Sequence, residues 1–207
     1  MKIDLIDLGI GNTRSVANWL SKVNCDVNVI DRVEDISSEL LVLPGVGAAG
    51  RFMHQLKKTG FDEAVRNHVS ADGRLLGICL GFQVMFEYSE EDGGVQTLGI
   101  LGGKVERLKG AGTHNGWEHA EYDFRKTDIS RHWRRSKLTR ANVLRGRFFY
   151  NHEYAVVNGD AVKQRSFPIS NSLNKFSGIV ISRNVIGVQY HPEKSQQSGV
   201  ELLRHIL

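Results

Sequence analysis

Cysteine and proline are scarce in this 207-residue chain, with two of the first (Cys25 and Cys79) and three of the second. Two cysteines cannot form a disulfide framework. The fold must rest on a hydrophobic core, and a chain of this length can bury one unaided. Long apolar runs are missing as well. Residues 40–43 and 185–188 are among the longest, far short of the roughly 20 residues that cross a bilayer, so no membrane contact is expected. Residues 1–7 alternate polar and apolar side chains, without the continuous apolar stretch or cleavage site of a signal peptide. A reducing cytoplasm is therefore the expected compartment. Hydrophobic residues at 41% and charged residues at 24% exclude a disordered, collagen-like or coiled-coil chain.

No strong excess of either charge runs through the chain. The net +4 is local: residues 125–147 contain nine basic side chains and one acid, Asp128, so the rest of the chain is net acidic. Basic residues interleaved with Ser, Thr and Asn read first as a solvated loop and second as a docking segment. A nucleic-acid partner is not expected, because Trp133 alone offers an aromatic platform and no binding fold is visible. The histidines do not cluster with cysteine or carboxylate at ligand spacing, so neither a metal nor another cofactor is expected.

Glycine, with 22 residues, is plentiful. It sits where strand patterns end. Residues 3–8, 27–30, 40–43 and 75–78 read as strands, the last two as continuous apolar runs suited to a buried parallel sheet. Helical spacing appears over 15–23, 51–69 and 80–88. Alternating strands and helices predict an α/β fold with a mostly parallel central sheet flanked by helices. The second half adds short strand patterns at 99–108, 118–124, 148–157, 178–182 and 185–189, then a closing helix over 198–207. With no repeat or linker, residues 1–207 read as one domain.

Gly77-Ile78-Cys79-Leu80-Gly81 carries the most chemistry. A strand, Gly-x-Cys-x-Gly and a helix form the pattern of a nucleophile elbow, in which glycines relieve clashes around a strained nucleophile. The helix N-terminus behind it would favour the thiolate. Free cysteines are more often buried packing residues, and that reading suits Cys25, which lacks such a setting. A thiol nucleophile needs a base. His191 closes an apolar strand in Gln189-Tyr190-His191-Pro192-Glu193, where Glu193 can fix the imidazole tautomer; alone, His-Pro-Glu would read as a surface loop. Pro44-Gly45-Val46-Gly47 follows another buried strand. Its backbone suits an oxyanion hole formed by the N–H groups of Val46 and Leu80, with Gly45 and Gly47 leaving the loop free to reorient. As a nucleotide loop it lacks the rest of the dinucleotide fingerprint.

Gly-Ile-Cys-Leu-Gly-Phe-Gln at 77–83, Pro-Gly-Val-Gly at 44–47 and Gln-Tyr-His-Pro-Glu at 189–193 occur in the order and spacing of class I glutamine amidotransferases, and the chain resembles that family. More narrowly it resembles the glutaminase subunits of imidazole glycerol phosphate synthases. That likeness is carried by residues 7–16, by Glu87-Tyr88-Ser89-Glu90-Glu91, by Asn115-Gly116-Trp117 and by 191–196. It implies that Cys79 attacks the amide of L-glutamine, that His191 protonates the departing ammonia with Glu193 behind it, and that water hydrolyses the thioester. It implies substrate contacts at Gln83 and Glu91, and a TIM-barrel cyclase subunit as heterodimer partner. Ammonia would pass to that partner through a channel to make imidazole glycerol phosphate and AICAR, with little turnover by the free glutaminase. Asn12, Trp117 and Lys194 are the expected partner contacts.

The likeness frays at Thr113-His114-Asn115-Gly116-Trp117-Glu118, at Asn151 and Glu153, and in the basic segment. None of these changes touches Cys79, His191 or Glu193. A second-copy subunit supplying ammonia to a surface-polysaccharide sugar amidotransferase is the alternative. A non-catalytic regulatory subunit is a further one.

Overall fold

The computed structural model describes residues 1–109, 112–124, 133, 143–157, 165–170 and 175–207. In chain order the strands and helices are β1 (Lys2–Ile6), α1 (Thr13–Leu20), β2 (Asp26–Ile30), β3 (Leu40–Gly45), α2 (Ala49–Thr59), α3 (Phe61–Ser70), β4 (Arg74–Cys79) and α4 (Leu80–Gln83). There follow β5 (Tyr88–Ser89), β6 (Val95–Gln96), β7 (Lys104–Arg107), β8 (His114–Asp123), β9 (Val143–His152), β10 (Tyr154–Val156), β11 (Arg165–Ser170), β12 (Lys175–Ser182), β13 (Val185–Val188) and α5 (Gln196–Ile206).

Seven strands form the main sheet in the order β11-β12-β13-β4-β3-β1-β2. The run from β13 to β2 is parallel, while β12 and β11 add antiparallel pairs at one edge. The central strands β3 and β4 are buried along their whole length, as continuous apolar runs covered on both faces must be. Two apolar layers result. Val16, Trp19, Leu203 and Tyr122, Phe148 and Tyr150 of β8 and β9 pack on one face; Phe52, Leu56, Val65 and Phe82 pack on the other. A four-stranded sheet (β10-β7-β5-β6) and a two-stranded ribbon, β8–β9, complete the described second half.

Two expected helices differ from their patterns. The stretch 51–69 is two helices, because Gly60 adopts φ +77 between them. The helix expected over 80–88 stops at Gln83. Carbonyls that would continue it are occupied instead: Val84 accepts from Leu98, Phe86 from Gly99, and Met85 from Ile100 and Leu101. The chain then enters β5. Trp117 belongs to β8, opposite Phe149. Most of the basic segment 125–147 lies outside the described residues. Its last part, from Val143, is strand β9, and Trp133 is fully buried with the Arg74 guanidinium 5.4 Å from its ring. The strand β11 had no counterpart in the sequence reading. No described helix is long and apolar enough to cross a membrane.

Candidate active site

Cys79 ends β4 and turns the chain into α4 with φ 53 and ψ −110, a conformation that costs a non-glycine residue energy. The turn is held by packing. A side chain on Gly81 would run into the carbonyl of Leu43, and one on Gly77 would meet the Met85 methyl and sit 2.9 Å from Phe82 Cα. Gly45 is constrained in the same way: a Cβ there would overlap Gly81 N and lie 3.0 Å from Leu80. Its φ is not positive, so its glycine serves close approach. Backbone freedom in this loop resides at Gly47, φ +96, which corrects the expectation of equal freedom at both. The four residues of α4 also provide less helix dipole behind the sulfur than a helix over 80–88 would.

His191 follows β13, the parallel neighbour of β4, so sheet order alone brings two distant segments together. Its backbone N–H donates to Phe149 O at 2.8 Å, and its carbonyl accepts from Ser195 Oγ at 2.6 Å. The imidazole is 3% exposed. Its Nδ1 lies 2.8 Å from Glu193 Oε1, which leaves Nε2 for the Cys79 sulfur that lines the same pocket. Burial alone would depress the His191 pKa. The neighbouring Cys79 sulfur, then the hydrogen bond and charge of Glu193, override it and push the value up to about 10. The imidazole is thus disposed to hold a proton beside the sulfur, ready to be passed to a leaving group.

Glu193 is fully buried, and its Oε1 also accepts from Asn12 Nδ2 at 2.6 Å, while Oε2 has no protein partner. Asn12 therefore braces the carboxylate from the β1–α1 turn, a contact its expected place at a partner surface did not anticipate.

A pocket of about 350 Å³ opens over the sulfur. Asn12, Val46, Gly47, Cys79, Leu80, Gln83, Glu91, His191 and Lys194 line it, with residues 151–154 as one wall. Val46 and Leu80 thus flank the nucleophile. Gln83 is buried, and its Nε2 donates to Tyr154 O at 2.6 Å and to Gln189 Oε1 at 3.1 Å. Glu91 accepts from Ala49 N at 2.9 Å. Burial raises its pKa, the Ala49 hydrogen bond opposes that, and the charges of Asp92 and Glu153 add to the rise. Lys194 reaches back over the Phe149 ring, at 5.6 Å. Trp117 stands apart from the pocket, 37% exposed, edge-on to Phe149 with Arg147 5.7 Å from its ring.

Three residues at or beside the pocket have no role in the sequence analysis. Gln189 places Nε2 3.9 Å from the Cys79 sulfur, His152 forms part of the wall, and Tyr154 supplies the carbonyl that holds Gln83. Gln189 was visible as the first residue of Gln-Tyr-His-Pro-Glu. The wall follows from a β9–β10 bend that periodicity does not reveal.

The class-I glutamine amidotransferase family model matches residues 4–207. The chain belongs to that family. It is therefore a glutamine amidotransferase, with an α/β fold of that class. It is 34% identical to the imidazole glycerol phosphate synthase subunit HisH of Bacillus subtilis, over 97% of this chain and 93% of that protein. The imidazole glycerol phosphate synthase subunit HisH 2 of Methanococcus maripaludis is 31% identical, over 99% of this chain and 98% of that one. The imidazole glycerol phosphate synthase hisHF of Emericella nidulans is 30% identical over 99% of this chain, which spans 37% of that longer protein. Among solved structures, a glutamine amidotransferase crystal structure superposes with a TM-score of 0.72, covering 97% of this chain and 95% of that chain at 15% identity.

Proposed function

We propose that this chain is the glutaminase subunit of an imidazole glycerol phosphate synthase, acting as one domain over residues 1–207. Cys79 attacks the side-chain amide carbon of L-glutamine. The N–H groups of Val46 and Leu80 hold the oxyanion. His191, oriented by Glu193 and Asn12, gives its proton to the leaving ammonia; a water deprotonated by the same imidazole then releases glutamate. Glu91 pairs with the substrate ammonium and the Gln83 side-chain oxygen accepts from its polar end. The observation that carries this reading is that Cys79 and a His191 hydrogen-bonded to Glu193 line one pocket, together with the Glu91 carboxylate.

The partner in this reading is a TIM-barrel cyclase subunit. It receives ammonia through a channel in a heterodimer and makes imidazole glycerol phosphate and AICAR. Relatives named for that synthase support it, as does the longer fungal protein in which the matching region is about a third of the chain. Trp117, Phe149 and Lys194 form the proposed docking face, since a partly exposed Trp with Arg147 over its ring, edge-on to a Phe149 that carries Lys194, suits an interface anchor. The reducing cytoplasm suits a catalytic thiol. The departures at 113–118, Asn151 and Glu153 sit on this ribbon and wall, which keeps a second-copy role in surface-polysaccharide sugar synthesis as the alternative acceptor.

The test is reconstitution with a cyclase subunit. Glutamine should support imidazole glycerol phosphate formation, and Cys79→Ala should abolish it while ammonium salts still serve. Glutamine-dependent synthesis by the mutant would refute the assignment of Cys79. Failure of the wild-type chain with every cyclase partner, alongside ammonia delivery to a sugar amidotransferase, would favour the alternative.

A further inference from the structure

Behind the pocket wall, His114 Nδ1 lies 3.0 Å from His152 Nε2, and His114 Nε2 lies 3.0 Å from Glu118 Oε1. His152 Nδ1 lies 2.9 Å from the carbonyl of Tyr154. The hydrogens of these four ring nitrogens can be counted. A carbonyl only accepts, so His152 Nδ1 carries a hydrogen. A carboxylate only accepts, so His114 Nε2 carries one too. The nitrogen–nitrogen contact holds one more. Two neutral imidazoles hold two N–H hydrogens between them, and this arrangement needs three. The pair therefore carries one positive charge, balanced by Glu118.

The charge belongs to His114. Glu118 touches that ring, whereas His152 is the more deeply buried of the two. Burial takes the His152 pKa down to about 3, against the Tyr154 hydrogen bond that raises it, with the charges of His114 and His191 lowering it further. Of the rings packed on the pair, the Tyr150 ring stacks on His114 at 4.9 Å and Phe176 of β12 lies 5.3 Å away, while the charged groups nearest His152 on the pocket side are His191 and Glu153. Burial holds the Tyr150 phenol well above its ordinary pKa.

From Glu118 the contacts run unbroken into the pocket. His114 leads to His152 and His152 to Tyr154 O. That carbonyl accepts from Gln83 Nε2, which also donates to Gln189 Oε1, and Gln189 Nε2 reaches the Cys79 sulfur. Both hydrogens of the Gln83 amide are committed along this line, so its oxygen is the group left for substrate. We propose that Glu118 and His114 are positioning residues, which together keep one imidazolium behind the pocket wall and thereby fix Tyr154 O and the orientation of Gln83. This rests on the glutaminase reading for its consequence, though not for its proton count. Glu118 neighbours Trp117 on β8 but faces inward, so the same strand bears the docking face on one side and this line on the other.

The deciding measurement is nitrogen NMR of the imidazole rings in the full chain near neutral pH. His114 should give the doubly protonated pattern and His152 the neutral tautomer with its hydrogen on Nδ1. Two neutral rings would overturn the proposal. In Glu118→Gln the imidazolium pattern should disappear, and kcat/KM for glutamine in the reconstituted complex should fall roughly tenfold, the size of one hydrogen bond to a charged group, mostly through KM. Glu118→Asp should recover most of the loss. Unchanged KM in the glutamine variant, or an equal loss in the aspartate variant, would refute the positioning role. The wild-type spectrum needs no variant and no turnover, so a chain with no glutaminase activity refutes the function without touching the proton count.

Discussion

Replacing Glu193 by glutamine keeps the shape of the side chain and removes its charge. In the native site that charge is shielded from solvent, 2.8 Å from His191 Nδ1, and tied to Asn12 at 2.6 Å. A hydrogen bond to a charged group contributes about 1.5–3 kcal/mol, and one pKa unit corresponds to about 1.4 kcal/mol. The His191 pKa should then drop from about 10 by about 1–2 units. Burial pulls it down throughout, and only Cys79 remains to hold it up. The sign for stability follows. A cation with a raised pKa stabilises the fold fully below the unfolded imidazole value of about 6.5 and loses that contribution as pH climbs through about 10. Glu193→Gln should be less stable than the parent by about 1.5–3 kcal/mol at neutral pH, with the gap closing toward pH 10. Its kcat/KM for glutamine should fall about 10- to 100-fold and the alkaline limb of the profile should move down. The assay is glutamine hydrolysis by the reconstituted complex across pH, with ammonium-dependent synthesis as the control and denaturant melts for stability. A variant within about twofold of the parent, with an unmoved alkaline limb, would refute the role given to the carboxylate.

Gly81→Ala should lower stability by about 1–3 kcal/mol, because its methyl meets the Leu43 carbonyl inside the core; a thermal melt should show a fall of about 3–10 °C, and an unchanged melt would contradict the packing described for the elbow. Trp117→Ala should leave the melt almost unmoved, since the side chain is 37% exposed, yet weaken partner binding by about 2 kcal/mol in titration calorimetry. Glu91→Gln should raise the KM for glutamine about tenfold with kcat little changed, as expected for a lost ammonium contact. For the parent, KM should climb as pH falls through the raised Glu91 pKa and the carboxylate is neutralised.

The parallel centre of the fold was legible because 40–43 and 75–78 are apolar throughout, a pattern that a two-sided buried strand requires. Cys79, His191 and Glu193 were legible as local motifs, and sheet order, which puts β13 beside β4, explains why they meet. What stayed hidden depends on partners distant in sequence. The helix after Cys79 ends at Gln83, and the carbonyls of the next three residues, Val84, Met85 and Phe86, accept from the 98–101 loop instead. Asn12 turns inward because a buried carboxylate across the fold needs a donor. His114 and His152 look unremarkable in sequence, and only the ten-residue β8–β9 register sets them opposite each other. Gly45 and Gly47 share a tetrapeptide, but only the folded chain separates the closely packed one from the one with positive φ and open space around it.

The most direct measurement is a peptide mass map of the full chain after reaction with an electrophilic analogue of glutamine. One adduct should appear on the peptide bearing Cys79, with excess glutamine protecting against it and His191→Ala slowing it. Modification of Cys25 instead, or labelling of Cys79 indifferent to both glutamine and His191, would contradict an activated thiol in a glutamine pocket.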